Sequence, residues 1–128
     1  MLKKGLAQYR QVNTNSGVEG ASPHRLIQML MEGALQRLAE AKGAMLRQST
    51  AAKGEAVGKA ITIVAGLRSC LNKEVGGDVA ANLDDLYSYM EGRLLEANAT
   101  NNVTILDEVA ELLKTIKSGW DEIAQEAA

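Results

Sequence analysis

From Leu106 to Ala127, apolar side chains stand at Leu106, Val109, Leu113, Ile116, Trp120, Ile123 and Ala127, in alternating steps of three and four. That rhythm keeps them on one face of a helix at the heptad period, the pattern of a seam between packed helices. A helix this one-sided needs other helices to cover it. The rest of the chain is therefore read for partners.

Three further stretches carry the same kind of face. Ser22 is placed to cap a helix and Pro23 suits its first position, where the missing N–H would be unpaired anyway. From there to about Gln48, Ile27, Leu30, Ala34, Leu38, Ala41 and Met45 keep helical spacing. Ser49 to Lys53 reads as a connection. A second helix is predicted to about Glu74, carrying Val57, Ala60, Ile61, Val64, Leu67 and Leu71. Gly76-Gly77 then breaks the chain, and Asp78 is placed to cap a third helix with Val79, Leu83, Leu86, Met90, Leu94 and Ala97 on one face. Tyr87 flanks that face and is predicted to be core, whereas Tyr89 lies well round from it and is predicted to be a surface handle. Ala99 to Asn102 makes the last break.

Short connections force sequential helices to run antiparallel. The expected fold is all-α, an antiparallel four-helix bundle over residues 21–126, about 30–39 Å long at the helical rise. Ahead of it, Leu2, Leu6, Tyr9 and Val12 recur at helical spacing, and residues 13–20 are polar with two glycines. Residues 1–20 are read as a short helical cap on a mobile linker, within a single domain spanning 1–128.

Several functions lack the residues they need. His24 is the sole histidine and Cys70 the sole cysteine. No Glu-x-x-His pair suggests a metal site, and the adjacent pairs Asp84-Asp85, Asp107-Glu108 and Asp121-Glu122 point in different directions on a helix. Neither an enzyme nor a metal or other cofactor is expected. Fourteen basic residues face sixteen acidic ones without a basic block, so no nucleic-acid partner is expected. No apolar run is long enough to insert into a membrane, and the N-terminus has no apolar stretch of a secretory signal, so the expected compartment is the cytosol. Seven glycines within the predicted helices (Gly33, Gly43, Gly54, Gly58, Gly66, Gly92 and Gly119) admit two readings. They either let helices approach closely or leave shallow grooves where another chain lies.

Certain pieces are more specific. Gly5-Leu6-Ala7-Gln8-Tyr9 opens the chain, Ala21-Ser22-Pro23-His24-Arg25-Leu26-Ile27 opens the bundle, and Lys53-Gly54-Glu55-Ala56 leads to Lys59-Ala60-Ile61. Gly76-Gly77 precedes Ala81-Asn82-Leu83, and Leu86-Tyr87-Ser88-Tyr89-Met90 precedes Arg93-Leu94-Leu95. In this order and spacing the chain resembles the FliS family of flagellar secretion chaperones. The resemblance implies a cytosolic chaperone that binds the disordered C-terminal segment of flagellin, prevents premature polymerisation and delivers it to the flagellar type III export gate. It also implies that Leu6 and Tyr9, which fall on the family's apolar-x-x-Tyr element, belong to a cap that docks on the export gate. Val57, Ile63 and Tyr89, off the central stripe yet apolar or aromatic, are expected to contact flagellin. The alternative is a non-catalytic adaptor, or a self-associating bundle whose seam forms a homodimer.

Overall fold

The computed structural model describes residues 22–127, with side chains through Ile123. The cap and linker of residues 1–20, with Leu6 and Tyr9, lie outside the described residues, as does the side chain of Ala127. Four helices follow one another: α1 (Pro23–Leu46), α2 (Thr50–Ser69), α3 (Lys73–Thr100) and α4 (Val103–Ala127). No strand occurs among the described residues.

The start of α1 matches the sequence. The Ser22 hydroxyl accepts from the Arg25 N–H at 3.0 Å, with Pro23 in the first turn. Its end comes slightly earlier than the spacing predicts. Gln48 turns left-handed at φ 60, its N–H donates to the Met45 carbonyl, and the Ser49 N–H donates to the Ala44 carbonyl at 2.9 Å. This pair of bonds satisfies two carbonyls of the last turn and stops the helix. The connection is therefore residues 47–49, and α2 begins at Thr50.

The expected boundary between the second and third helices is wrong by several residues. α2 ends at Ser69 instead of near Glu74, and α3 begins at Lys73 instead of Asp78. Asn72 is the true cap, its side-chain oxygen accepting from the Glu74 and Val75 N–H groups at 3.1 and 3.2 Å. A single turn, residues 73–76, forms before the chain kinks at Gly77 (φ 54, ψ −128). That conformation places a Cβ badly and is open only to glycine. Its neighbour is constrained differently: a Cβ on Gly76 would stand 2.8 Å from the Ala80 Cβ. At the far end Asn101 adopts φ 58, and Asn102 caps α4 by accepting from the Thr104 N–H at 2.9 Å.

The helices close a ring in which α1 and α3 each pack on both α2 and α4. Cross-links fix the antiparallel sense. Gln28 near the start of α1 donates to Asp121 near the end of α4 (2.6 Å), and Lys42 near the end of α1 pairs with Asp107 near the start of α4 (3.0 Å). Lys53 at the head of α2 donates to the Asn98 carbonyl and the Asn101 side chain at the tail of α3. Inside, Leu26, Met31 and Leu38 of α1 meet Val57, Val64 and Leu67 of α2, with Met90 and Leu94 of α3 and Leu106, Val109 and Leu113 of α4. Each such burial contributes about 1.5–3 kcal/mol, far above any surface contact here.

Two predicted face positions lie outside this core. Val79 is 68% exposed, because it follows the Gly77 kink where α3 leaves the bundle wall. Ile123 is 48% exposed, since the α4 seam runs on beyond what the described helices cover. Among the helical glycines only Gly33 meets another helix, its Cβ position lying 3.6 Å from Ile63 Cδ1. Gly54, Gly58, Gly66, Gly92 and Gly119 face open space, which argues against close approach as their common reason.

Candidate functional site

Where α2 stops and α3 kinks, the four helices no longer cover one another and an apolar cleft of about 240 Å³ opens. α1 supplies Ile27 and Met31 to its floor. The end of α2 and the following turn supply Leu67, Cys70 and Leu71. α3 contributes Val75, Val79, Leu83 and Tyr87, and α4 contributes Ile116 and Trp120. Asn72 is the one residue with a polar side chain besides Tyr87, Cys70 and Trp120 in this lining, and its oxygen is occupied by the cap of α3. Among the described residues no charged group lines it.

The groups that could titrate here are held neutral. Burial raises the Cys70 thiol above its usual range, the condition of an inert core thiol and not of a nucleophile. Burial, with a smaller contribution from Cys70, pushes Tyr87 up to about 12. Among the described residues no group of three or more His, Cys, Asp or Glu could hold a metal ion. The arrangement offers no acid–base pair and no nucleophile; it offers apolar surface to an apolar visitor.

One wall carries Trp120, which is held by a pairing with His24 that spacing did not reveal. His24 stacks on Trp120 with ring centroids 4.4 Å apart, and its Nε2 is buried with no hydrogen-bond partner among the described residues. The Trp120 indole N–H donates to the His24 carbonyl at 3.0 Å. Beside it, Asp121 accepts from Gln28 (2.6 Å) and Lys117 (2.8 Å), and these hold its carboxyl below the usual range, Lys117 first. These contacts tie the end of α4 to the start of α1 and leave the Trp120 ring edging the cleft.

The residues singled out beforehand as flagellin contacts do not gather in this cleft. Val57 is 1% exposed and packed in the core, a correction to its reading as a flank residue: α2 turns it inward beside Ala56 and Ala60. Ile63 is half-buried against Gly33 and borders a separate shallow depression with Arg37, Gly58 and Thr62. Tyr89 is 46% exposed, as the sequence predicts, and Tyr87 is buried. The Tyr89 hydroxyl donates to Glu108 at 2.6 Å, and Arg93 holds the other oxygen of that carboxylate at 2.8 Å. Spacing missed Leu71, Val75 and Trp120 as cleft residues. The one signal that could have found them is Gly76-Gly77, which marks where α3 departs from the bundle.

A family model described as Flagellar protein FliS matches residues 5–127. The chain belongs to the FliS family. It is 54% identical over 121 residues to a Pseudomonas aeruginosa protein described as flagellar secretion chaperone FliSB, covering 94% of this chain and 96% of that one. It is 45% identical over 125 residues to the flagellar secretion chaperone FliS of Vibrio cholerae, covering 98% of this chain and 92% of the relative. The FliS of Salmonella typhimurium is 43% identical over 125 residues, covering 97% and 93%. The family match over residues 5–127 spans the described bundle, so the cleft and its kinked turn lie within it. No described helix is long and apolar enough to cross a membrane.

Proposed function

We propose that this chain is a flagellar export chaperone without catalytic turnover, working in the cytosol. It binds the disordered C-terminal segment of flagellin, keeps that segment from polymerising early and delivers it to the export gate of the flagellar secretion apparatus. The observation that carries this reading is the apolar cleft at one end of a FliS-family bundle, lined by no charged group among the described residues. A segment that polymerises through an apolar face is protected when that face is buried elsewhere, and a cleft without charged groups buries it with little desolvation cost. Coupled ordering of the segment forfeits part of the gain, which keeps binding reversible. Leu6 and Tyr9 are assigned to docking on the export gate, so their replacement lowers secretion while flagellin binding persists.

Calorimetric titration with a peptide of about the last forty residues of a flagellin tests this, a length ample for a coupled-folding interface. One-to-one binding with a negative heat-capacity change supports the chaperone. No heat and no thermal stabilisation, with stability that instead rises with protein concentration, would favour the self-associating bundle.

A further inference from the structure

The Gly77 kink is flanked by two valines that the core does not bury, Val75 before it and Val79 after it. Val75 is 86% exposed and Val79 68% exposed, yet both line the cleft, so one side of each continues its apolar wall out to the surface. Gly77 takes a conformation only glycine tolerates, and the turn is pinned in place by the Asn72 cap and by Lys73 pairing with Asp84 at 2.9 Å.

The two halves of the chain differ in charge, and the charge left unpaired on the kinked turn itself is acidic. Residues 23–69 hold seven basic and three acidic side chains, whereas residues 73–127 hold four basic and twelve acidic. On the turn itself Glu74 and Asp78 are exposed and form no ion pair among the described residues, while the turn's only cation, Lys73, is committed to Asp84. A visitor that lays apolar side chains on Val75 and Val79 therefore brings its flanks into a negative field.

We propose that the kinked turn Lys73–Val79 is a docking ridge, continuous with the cleft, for an amphipathic helical segment whose apolar stripe is flanked by basic side chains. The proposal rests on the reading of the cleft as a docking site and adds the chemistry that selects the occupant. Val75 and Val79 anchor the stripe, and Glu74 and Asp78 choose the sign of its flanks. Electrostatic complementarity of this kind favours one class of partner and rejects the opposite one.

The test uses the full chain and a pair of designed amphipathic peptides with one leucine stripe, flanked by Lys in one and by Glu in the other. Trp120, the only tryptophan, reports binding by its fluorescence. The Lys peptide is expected to bind at least about tenfold tighter than the Glu peptide, with the advantage shrinking as salt is raised beyond about 0.5 M. Val75→Ser with Val79→Ser weakens the Lys peptide about tenfold or more without lowering Tm, because both side chains are already exposed. Glu74→Lys with Asp78→Lys reverses the preference. Equal binding of the two peptides, or variants that bind as the parent does, overturns the proposal. So does binding that appears only after Leu6 and Tyr9 are replaced by Ser, which would make the chain's own N-terminal segment the occupant. Concentration-dependent self-association abolished by the valine substitutions would likewise overturn it, assigning the ridge to a second copy. The flagellin peptide is run beside these: its failure to bind while the Lys peptide succeeds sinks the flagellin reading and leaves the ridge standing.

Discussion

Trp120 lies flat on His24, the two ring planes within 2° of parallel, and donates its indole N–H to the backbone carbonyl of the same residue. A stack and a hydrogen bond between one pair of residues lock the end of α4 to the start of α1. Trp120→Phe keeps a ring in place but loses the bond, and should cost about 1 kcal/mol in urea unfolding. Trp120→Ala should cost about 3 kcal/mol and enlarge the cleft.

Gly77→Ala should destabilise the protein by about 1–3 kcal/mol, because its φ of 54 with ψ of −128 is closed to alanine. Gly76→Ala should also destabilise, through its contact with Ala80. By contrast Gly58→Ala, in open space on α2, should raise stability by about 1 kcal/mol. Thermal unfolding of the three variants separates the two kinked-turn positions from an ordinary helical glycine.

Gln48 occupies a left-handed conformation that costs a side chain about 1 kcal/mol, and Gln48→Gly should recover that amount. A chemical denaturation midpoint that moves up at constant slope is the expected result.

Stability should respond to pH at two limbs. The Arg68 and Lys73 hydrogen bonds hold the Asp84 carboxyl below its ordinary value, so the unfolded chain takes up this proton first. Its contribution is complete above the ordinary carboxylate range and is lost as pH falls toward the lower folded value. Asp84→Asn should flatten the acid limb of a Tm–pH profile. Tyr87 works at the other end: raised to about 12 by burial, it remains neutral in the fold while the unfolded phenol ionises near pH 10. Its contribution is present below about pH 10 and is lost as pH rises toward 12. Tyr87→Phe should therefore flatten the alkaline limb.

Val57→Ala should lower stability by about 2 kcal/mol through the cavity it leaves, whereas Tyr89→Phe should change stability by less than about 0.5 kcal/mol because its bond to Glu108 is exposed. Peptide affinity measured beside unfolding separates a core residue from a surface one. A variant that loses affinity at unchanged Tm belongs to a contact surface.

The bundle was legible because helical spacing is a local property of the chain. The cap at Ser22, the buried Tyr87 and exposed Tyr89, and most of the four stripes follow from residues three or four apart. The α2–α3 boundary was misread because Asn72, whose side chain accepts from the Glu74 and Val75 N–H groups, opens one extra turn ahead of the Gly77 kink, where spacing points only to Asp78. Val57 was misplaced for a related reason: periodicity gives the width of an apolar face but not which edge a neighbour covers. The His24–Trp120 pair spans 96 residues, and no local pattern announces it. The uneven charge of the two halves was countable from the start, but it acquires meaning only once the cleft is placed beside the acidic turn.

That same pair has a consequence for timing. α1, α2 and α3 can assemble in the order in which a ribosome makes them, since each packs on its predecessor. The α1–α4 seam cannot, because Trp120 emerges only after all three have been made. A growing chain therefore gains a finished cleft only once α4 is added, and a copy that stops short of Trp120 lacks one wall of it.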